Sequence, residues 1–238
     1  MTYTNCKKHI NFWAKVFLAL GAALGAGTTW AAPETVLHSF CQQTDCADGS
    51  FPEAGPIATA TGELYGTTLG GGNANQGVIF TVPVTGGIEL PHQFQGGILD
   101  GAAPEAPLFR DKSGNLFGTT TRGGGTGCGG TGCGTVFERS AGGTYRLRHA
   151  FNGADGSIPL AGVIADNAGN LYGTTETGGA NGQGTIFKLA PSGILTTLYS
   201  FCSVTGCTDG ANPNAGLIGT RTAISTGPPV SAAQTTSA

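Results

Sequence analysis

Charged residues and methionine are scarce in this chain: its 238 residues include 11 Lys and Arg, 14 Asp and Glu, and a single Met. Long amphipathic stretches of Leu, Glu, Lys and Arg are missing, which excludes a helical bundle. Disordered chains are rich in charge and poor in apolar residues, whereas 39% of this chain is hydrophobic. The 43 glycines follow no Gly-X-Y period, which excludes collagen. The composition therefore predicts a packed, turn-rich β fold.

Residues 1–32 have the pattern of a secretory signal peptide. Three lysines precede the apolar run 16–27, and the small residues Ala31 and Ala32 follow it. The run has 12 residues, fewer than the roughly 20 that a membrane-spanning helix needs. The alternative is an uncleaved anchor, in which the run extends back to Phe12. We expect a secreted, periplasmic or cell-surface protein that has no membrane span once the leader is removed.

The charge balance argues against a nucleic-acid partner. Without the leader the chain carries 8 basic and 14 acidic residues, a net charge of −6. Nucleic-acid binding needs a basic surface, which this composition does not supply.

The cysteine pattern also fits export. Cys6 lies in the leader, and four residues separate the partners in each of three further pairs. A tight turn can bring two cysteines at this spacing within disulfide reach. Zinc is the alternative, but structural zinc sites combine their Cys pairs in one place, whereas these pairs lie in separate repeats. We expect three local disulfides: Cys41 with Cys46, Cys128 with Cys133, and Cys202 with Cys207.

A repeat of about fifty residues dominates the chain. Each unit has a GNLYGTT-like block, a glycine cluster, a GTxF block, a strand that ends in Phe, and an Asp-Gly turn followed by Pro. The aromatic positions of the first and third blocks are Tyr65, Phe117 and Tyr172, and Phe80, Phe137 and Phe187. The terminal Phe residues, spaced 54, 57 and 50 residues apart, are Phe40, Phe94, Phe151 and Phe201. The turn aspartates are Asp48, Asp100, Asp155 and Asp209.

Short apolar runs separated by Gly, Asn, Asp and Pro predict four antiparallel strands in each unit. In the last unit these strands are predicted at 161–165, 170–175, 184–189 and 194–201. The segment from Asp166 to Asn170 predicts an Asx turn with a glycine of positive φ between the first two strands of the last unit. Four short strands per unit are typical of a propeller blade, which packs on its neighbours. We therefore predict an all-β, β-propeller-like array of four-stranded antiparallel blades that is not closed. The predicted blades are 55–105, 106–160 and 161–214, with partial strands at 36–40 and 215–219.

These blocks together resemble a known family. The combination DGxxPxAG, GNLYGTT, GG and GTxFKL is similar to the bacterial GloVer tandem repeat of choice-of-anchor proteins, from Leu37 to about Gly219. The resemblance implies an exported, repetitive, propeller-like protein and implies no particular activity. More loosely, GNLYGTT is similar to strand pairs of NHL and gluconolactonase-like propellers, which implies a fold alone.

The repeat stops after Gly219. Another GNLYGTT block is expected there, but the sequence reads TRTAISTGPPV. Read one base earlier, the fixed bases of these codons permit Asp-Ala-Asn-Gly-Asn-Leu-Tyr-Gly-Thr-Thr-Gly. We hypothesise that residues 220–238 are a disordered, out-of-frame tail of a truncated protein. The alternative is an ordinary disordered terminus rich in Ser, Thr and Ala.

Two repeated polar positions are candidates for chemistry. His38, His92 and His149 lie two residues before a terminal Phe, where the fourth unit has Tyr199. A ring of histidines can bind a metal, but a position two residues from a core Phe shares its strand face, which favours packing. The turn aspartates supply one carboxylate per loop, too few for calcium, and Asp-Gly favours a reverse turn. We predict no metal, no cofactor and no catalytic set, since GxSxG is missing.

The sequence favours a non-enzymatic exported scaffold that contacts carbohydrate or protein at the cell surface. Non-repeating polar residues are expected at the inner strand ends of an enzyme, whereas NLYGTT recurs almost unchanged. The alternative is a propeller hydrolase or lyase that acts on an extracellular carbohydrate or lactone. A third reading is a relic without function.

Overall fold

The computed structural model describes residues 35–219. The expected leader, 1–32, and the expected out-of-frame tail, 220–238, lie outside the described residues. The chain divides into two units after Ser39. Residues 35–39, the described part of the first unit, contain no strand. All elements named below belong to the second unit.

Fourteen short strands and three single-turn 3-10 helices make up the described secondary structure. The 3-10 turns, Thr44–Cys46, Cys128–Gly130 and Thr205–Cys207, all lie in the Cys-x4-Cys loops. The strands are β1 (Ile57–Ala58), β2 (Leu64–Thr68), β3 (Val78–Val82), β4 (Glu89–Gln93), β5 (Gly101–Ala102), β6 (Phe109–Arg110), β7 (Leu116–Thr120), β8 (Arg122–Gly123), β9 (Thr135–Arg139), β10 (Tyr145–Ala150), β11 (Ile164–Ala165), β12 (Leu171–Thr175), β13 (Thr185–Leu189) and β14 (Leu195–Ser200).

The strands form three antiparallel four-stranded sheets and one small ribbon. Sheet 1 has the order β1-β2-β3-β4, sheet 2 the order β6-β7-β9-β10, and sheet 3 the order β11-β12-β13-β14; β5 pairs with β8. One hydrophobic cluster joins sheets 1 and 2, and a second joins sheets 2 and 3. No cluster among the described residues joins sheet 1 to sheet 3. The prediction of an open, all-β array of propeller-like blades is confirmed.

Local sequence explains the turns and the strand pairing within a sheet. Asp166 Oδ1 accepts the N–H groups of Ala168 and Asn170 at 2.9 Å, and Gly169 has φ +80, so the Asx turn forms as predicted. Cross-strand pairing sets a glycine of the second strand against a phenylalanine of the third in every sheet. The pairs are Gly66 with Phe80, Gly118 with Phe137, and Gly173 with Phe187.

These glycines make room for the rings. A Cβ on Gly118 would lie 2.4 Å from Phe137 Cζ, and the other two pairs give 2.4 and 2.6 Å. The ring therefore covers the glycine backbone in each sheet. This contact accounts for the constant glycine in the LYGTT and LFGTT blocks.

The terminal Phe of each unit then packs on the ring that covers the next glycine. Phe94 contacts Phe137, and Phe151 contacts Phe187, edge to face with centroids 5.3 and 5.2 Å apart. Phe40 contacts Phe80 in the same way at 4.9 Å. Edge-to-face pairs add roughly 0.5–1.5 kcal/mol to the gain from burial. The same aromatic contact thus holds each unit to the following one.

Hydrogen bonds join the units at a second repeated position. Thr119 Oγ1 donates to the Ala161 carbonyl at 3.0 Å. Thr67 and Thr174 donate to the carbonyls of Ala106 and Ala215 at 3.4 and 3.2 Å. The second half of the LYGTT block therefore contacts the next unit.

A left-handed residue before each repeat proline bridges neighbouring units. Ala103 has φ +56; its N–H donates to the Gln76 carbonyl of the unit before, and its carbonyl accepts the Thr121 N–H of the unit after. Ile158 has φ +55 and is bonded in the same way to Cys133 and Glu176. Positive φ is costly for a β-branched residue. Hydrogen bonds on both sides fix this conformation.

The two predicted partial strands do not form. Val36 and Leu37 are 71% and 54% exposed, and residues 36–40 contain no strand. Residues 215–219 also contain none, and Ile218 is 89% exposed. In a complete unit the last strand pairs with the third and the first strand pairs with the second. No such partner precedes 36–40 or follows 215–219 among the described residues, so their backbone groups have no strand to pair with.

Candidate functional site

Two of the repeated histidines, His92 and His149, meet turn aspartates in the structure. His92 Nε2 donates to the Asp100 carboxylate at 3.2 Å, and His149 Nε2 donates to Asp155 Oδ2 at 2.9 Å. In the next unit the hydroxyl of Tyr199 donates to Asp209. Sequence reasoning assigned the two positions separately and did not pair them.

The carboxylates of these pairs are held in their charged form. Burial alone would raise the pKa of Asp100, but hydrogen bonds from His92 and from the Gln95 N–H outweigh it and hold that pKa below its usual range. The pKa of Asp155 is also lowered, since the hydrogen bonds from His149 and the Asn152 N–H outweigh burial.

The partners of these aspartates assign them a structural role. Asp100 accepts the N–H of Gln95 at 2.8 Å, and Asp155 accepts the N–H of Asn152 at 2.9 Å. Each carboxylate therefore fixes the loop that follows a terminal Phe. The His92 ring also stacks on Tyr145 of the next sheet, with centroids 3.7 Å apart. These polar side chains hold neighbouring units together.

The cysteines pair within their own loops. The structure joins Cys41 to Cys46, Cys128 to Cys133, and Cys202 to Cys207. Cys133 is 1% exposed and belongs to the core between sheets 2 and 3. The loop from Cys128 to Cys133 is thereby tied to that core.

A cleft of about 230 Å³ opens beside this loop. The ribbon residues Ala102 and Arg122 line it, together with Gln95 and its neighbouring glycines, Gln76 and Thr131. Thr131 is fixed because its carbonyl accepts the Gly123 N–H at 2.8 Å. Gln95 Nε2 donates to the Gln93 carbonyl at 3.0 Å. We call this site the Arg122 cleft.

Two side chains in the Arg122 cleft have polar groups that can bind a ligand. Arg122 and Gln76 form no side-chain hydrogen bond or ion pair with residues 35–219. The positions equivalent to Arg122 in the other units are Gly70 and Thr177, so the charge interrupts the repeat. Among the described residues that line the cleft, Arg122 is the only charged one, and none of them has a carboxylate or an imidazole.

Two exposed apolar residues follow the lining of the Arg122 cleft in sequence. Ile98 and Leu99 follow Gly97 of the lining and are 64% and 81% exposed. Their loop has no counterpart of this sequence in the other units. The cleft thus combines a guanidinium, amides and a hydroxyl, and an exposed apolar pair adjoins its lining in sequence. Sequence reasoning missed this site, although Arg122 at a position that is otherwise small or polar was a usable signal.

The predicted repeat residues occupy equivalent places in the three sheets. Phe80, Phe137 and Phe187 cover the glycines, and Phe94, Phe151 and Phe201 are buried at the ends of the fourth strands. Phe117 and Tyr172 are buried and Tyr65 is half-buried, all in the second strands. Asp48 is fully buried, and its carboxylate accepts the N–H groups of Gln42 and Gln43.

Residues 35–219 contain no group of three or more His, Cys, Asp or Glu side chains arranged to bind a metal. In that part of the chain no helix has the length and apolar character needed to cross a membrane.

Comparison with known proteins gives one family and two distant folds. A family model described as the Gloeobacter/Verrucomicrobia repeat matches residues 18–227. No curated protein matches the chain significantly. A candidate gluconolactonase of known structure is 18% identical, with a TM-score of 0.40 over 60% of this chain and 47% of its own. Virginiamycin B lyase from Staphylococcus aureus is 10% identical, with a TM-score of 0.38 over 69% of this chain and 59% of its own.

The chain thus spans about half the length of these solved structures. At such identities and TM-scores the likeness carries neither activity nor substrate to this protein.

Proposed function

The chain belongs to the Gloeobacter/Verrucomicrobia repeat family, and from this premise we propose that it is an exported scaffold that binds an acidic saccharide in the Arg122 cleft. The repeat array serves as the rigid support. The ligand is an oligosaccharide that carries a carboxylate, such as one built from uronic acids.

The single observation that carries the proposal is the Arg122 guanidinium, which has no side-chain partner within residues 35–219, in a cleft that interrupts the repeat. Guanidinium groups bind carboxylates through paired, charge-assisted hydrogen bonds. The amide of Gln76 suits sugar hydroxyls, and the Thr131 hydroxyl, which donates to the Cys128 carbonyl at 3.3 Å, can accept a hydrogen bond from one. The exposed pair Ile98 and Leu99, next in sequence to the lining residue Gly97, suits the C–H face of a sugar ring. A site of this kind combines apolar contact area with a few placed polar groups.

Binding without catalysis is favoured by the lining of the cleft. Glycoside hydrolysis uses a pair of carboxylates, and the lining contains none. The carboxylates of Asp100 and Asp155 are each bonded to a histidine and to a backbone N–H. For these reasons we favour a saccharide-binding scaffold over a hydrolase or lyase, and over a scaffold that binds only protein.

Export is supported by the leader pattern at 1–32 and by three disulfides within the described residues. Disulfides persist in oxidising compartments outside the cytosol. Mass spectrometry of protein from an expressing bacterium tests this part, and we expect a mature chain that begins near Pro33 with all six remaining cysteines oxidised. An intact leader in the mature protein, or free thiols at these cysteines, would contradict export.

Calorimetric titration with uronate oligosaccharides tests the binding site. We expect the wild type to bind them more tightly than neutral oligosaccharides of the same length. Arg122→Ala removes the cation and should weaken uronate binding by about tenfold or more. Added salt should weaken wild-type binding, because the contact is charge-assisted and solvent-exposed.

Lys112→Ala is the matched control. Lys112 is also an exposed cation, but it lies in the β6–β7 turn, at the opposite end of β7 from Arg122. Its removal changes the net charge equally and should leave uronate binding unchanged. Equal affinities of the two variants, or a wild type that binds no uronate, would refute the proposed ligand.

A further inference from the structure

Within residues 35–219, sheet 3 has one face on which no further sheet packs; this uncovered face resembles the covered faces of sheets 1 and 2. Ile79 of sheet 1 and Val136 of sheet 2 are 0% exposed, because the next sheet covers each of them. The equivalent residue of sheet 3, Ile186, is only half-buried. Ile218, equivalent to the half-buried Ile164 of β11, is 89% exposed.

Backbone groups on this face are also left without partners. The carbonyls of Ala103 and Ile158 accept N–H groups from the following sheet. Asn212 occupies the same place before a repeat proline with φ +51, and its N–H donates to the Gln183 carbonyl of sheet 3. Its carbonyl has no partner among the described residues. The bridge between units is therefore half made at Asn212.

The other end of the array is complementary. Phe51 is the equivalent residue ahead of sheet 1, with φ +55, and its carbonyl accepts the Leu69 N–H of that sheet. Its own N–H has no partner within residues 35–219. One end of the array thus offers a free carbonyl and a receiving face, while the other offers a sheet of the matching pattern.

The two segments that flank the array have similar sequences. Residues 40–57 read FCQQTDCADGSFPEAGPI, and residues 201–218 read FCSVTGCTDGANPNAGLI. Each contains a disulfide between its two cysteines, and all four cysteines have φ between +53 and +61. The two segments therefore share the loop conformation that lies ahead of a sheet.

We propose that sheet 1 of a second copy of this chain docks on the uncovered face of sheet 3, with residues 201–218 of the first copy taking the place of residues 40–57 of the second. Phe201 then packs on the second copy's Phe80, the Asn212 carbonyl accepts its Leu69 N–H, and Ile218 pairs opposite its Tyr65. Each contact repeats one that the molecule makes between its own units.

A second copy is the occupant that the sequence pattern selects. The covered faces of sheets 1 and 2 each receive a four-stranded sheet with the GNLYGTT and GTxF blocks. Sheet 1 has this pattern as well. Phe201 directly follows β14, so residues 201–218 continue from a sheet, whereas the described residues 35–39 ahead of Phe40 contain no strand.

The interface is head-to-tail, since different surfaces of the two copies meet. Such an interface forms rings or open chains of copies. It also displaces residues 40–57 of the copy whose sheet 1 docks. These residues should then become more accessible to solvent exchange.

Light scattering during size-exclusion chromatography of the full-length protein tests the proposal. We expect the apparent mass to rise above that of one chain as the concentration increases. Ile218→Asp places a carboxylate where the interface would bury it, so association should weaken by about tenfold or more. The folded single chain should tolerate the change, because Ile218 is already 89% exposed.

Val84→Asp is the matched control, since Val84 is 65% exposed in the β3–β4 turn, away from the uncovered face. This variant should associate as the wild type does. Hydrogen exchange should show that residues 40–57 lose protection upon association. A mass of one chain at every concentration, equal association of both variants, or unchanged protection of residues 40–57 would overturn the proposal.

Discussion

The ring of Phe94 packs edge to face on the ring of Phe137, and the two residues belong to consecutive units of the repeat. Phe137 in turn covers Gly118, whose missing side chain leaves room for the ring. A glycine in one strand therefore determines where the preceding unit can place its terminal Phe.

Gly118→Ala tests this arrangement. The added methyl group would lie 2.4 Å from Phe137 Cζ and 2.9 Å from Leu108 Cδ2. Overpacking of this kind costs about 1–3 kcal/mol, and we expect such a loss in the free energy of unfolding, measured by urea denaturation. Gly142→Ala is the control, because its new methyl group would meet only Ser140 Oγ at 3.9 Å. Equal stability of the two variants would mean that the glycine is not required.

Thr119→Val and Thr174→Val form a second matched pair. Both remove a hydroxyl that donates to a carbonyl of the next unit. Ala161 is buried, so its carbonyl would be left unpaired at a cost of about 1–3 kcal/mol. Ala215 is exposed, and water can replace the lost donor. We expect Thr119→Val to lower the urea midpoint more; the reverse order would contradict this account of the contact between units.

Acid should destabilise the array through its aspartates. The pKa values of Asp100 and Asp155 are lowered in the folded chain, below the value of about 3.9 for an unfolded aspartate. Their stabilising contribution is complete above that unfolded value and disappears as the pH falls through the lowered one. The unfolding free energy should therefore stay level near neutral pH and fall below about pH 4.

Asp155→Asn isolates one of these groups. The variant should be less stable than the wild type at neutral pH, and the difference should shrink as the pH falls below about 4. Asp45→Asn is the comparison, since Asp45 is exposed and asparagine tolerates its positive φ. If Asp155→Asn runs parallel to the wild type at all pH values, the His149–Asp155 contact does not stabilise the fold.

The three disulfides should not contribute equally. If disulfides act by lowering the entropy of the unfolded chain, a disulfide that closes a loop this short adds about 2 kcal/mol to the free energy of unfolding. Replacement of both Cys128 and Cys133 by Ala should cost more than replacement of both Cys202 and Cys207. Cys133 is 1% exposed within the core, whereas Cys202 and Cys207 are half-buried. Thermal unfolding of the two double variants measures the difference, and equal melting temperatures would argue against it.

The nucleotide sequence tests the proposed frame change after Gly219. We expect the codons of residues 220–230, read one base earlier, to encode a GNLYGTT block and the following bases to continue the repeat. Codons that cannot encode this block in the earlier frame would leave residues 220–238 as an ordinary terminus.

The sequence predicted the sheets well because their strands repeat. The apolar runs and turn residues of the last unit predicted strands at 170–175 and 184–189, and the structure has β12 at Leu171–Thr175 and β13 at Thr185–Leu189. The first strand of this unit is shorter than predicted, since only Ile164–Ala165 of the predicted segment 161–165 form a strand. Ala161 and Val163 are buried and pack between units instead. A run of apolar residues does not distinguish pairing within a sheet from packing between sheets.

The site was less predictable for a physical reason. Repetition identifies residues that hold the array together, such as His149 and Asp155, and their pairing depends on a loop whose course the sequence does not reveal. The Arg122 cleft lies where loops from two units meet, so its lining comes from distant parts of the chain. A departure from the repeat marks such a site, but the three-dimensional arrangement is needed to show which departures are neighbours.

The left-handed bridging residue has a consequence for how such proteins change during evolution. Ala103 and Ile158 are bonded to the sheet on either side, so the joint between blades is encoded inside the duplicated segment. Recombination that inserts or deletes one whole period, wherever it cuts, recreates an intact joint on both sides. The array can therefore gain or lose blades in a single genetic event without first evolving a new interface.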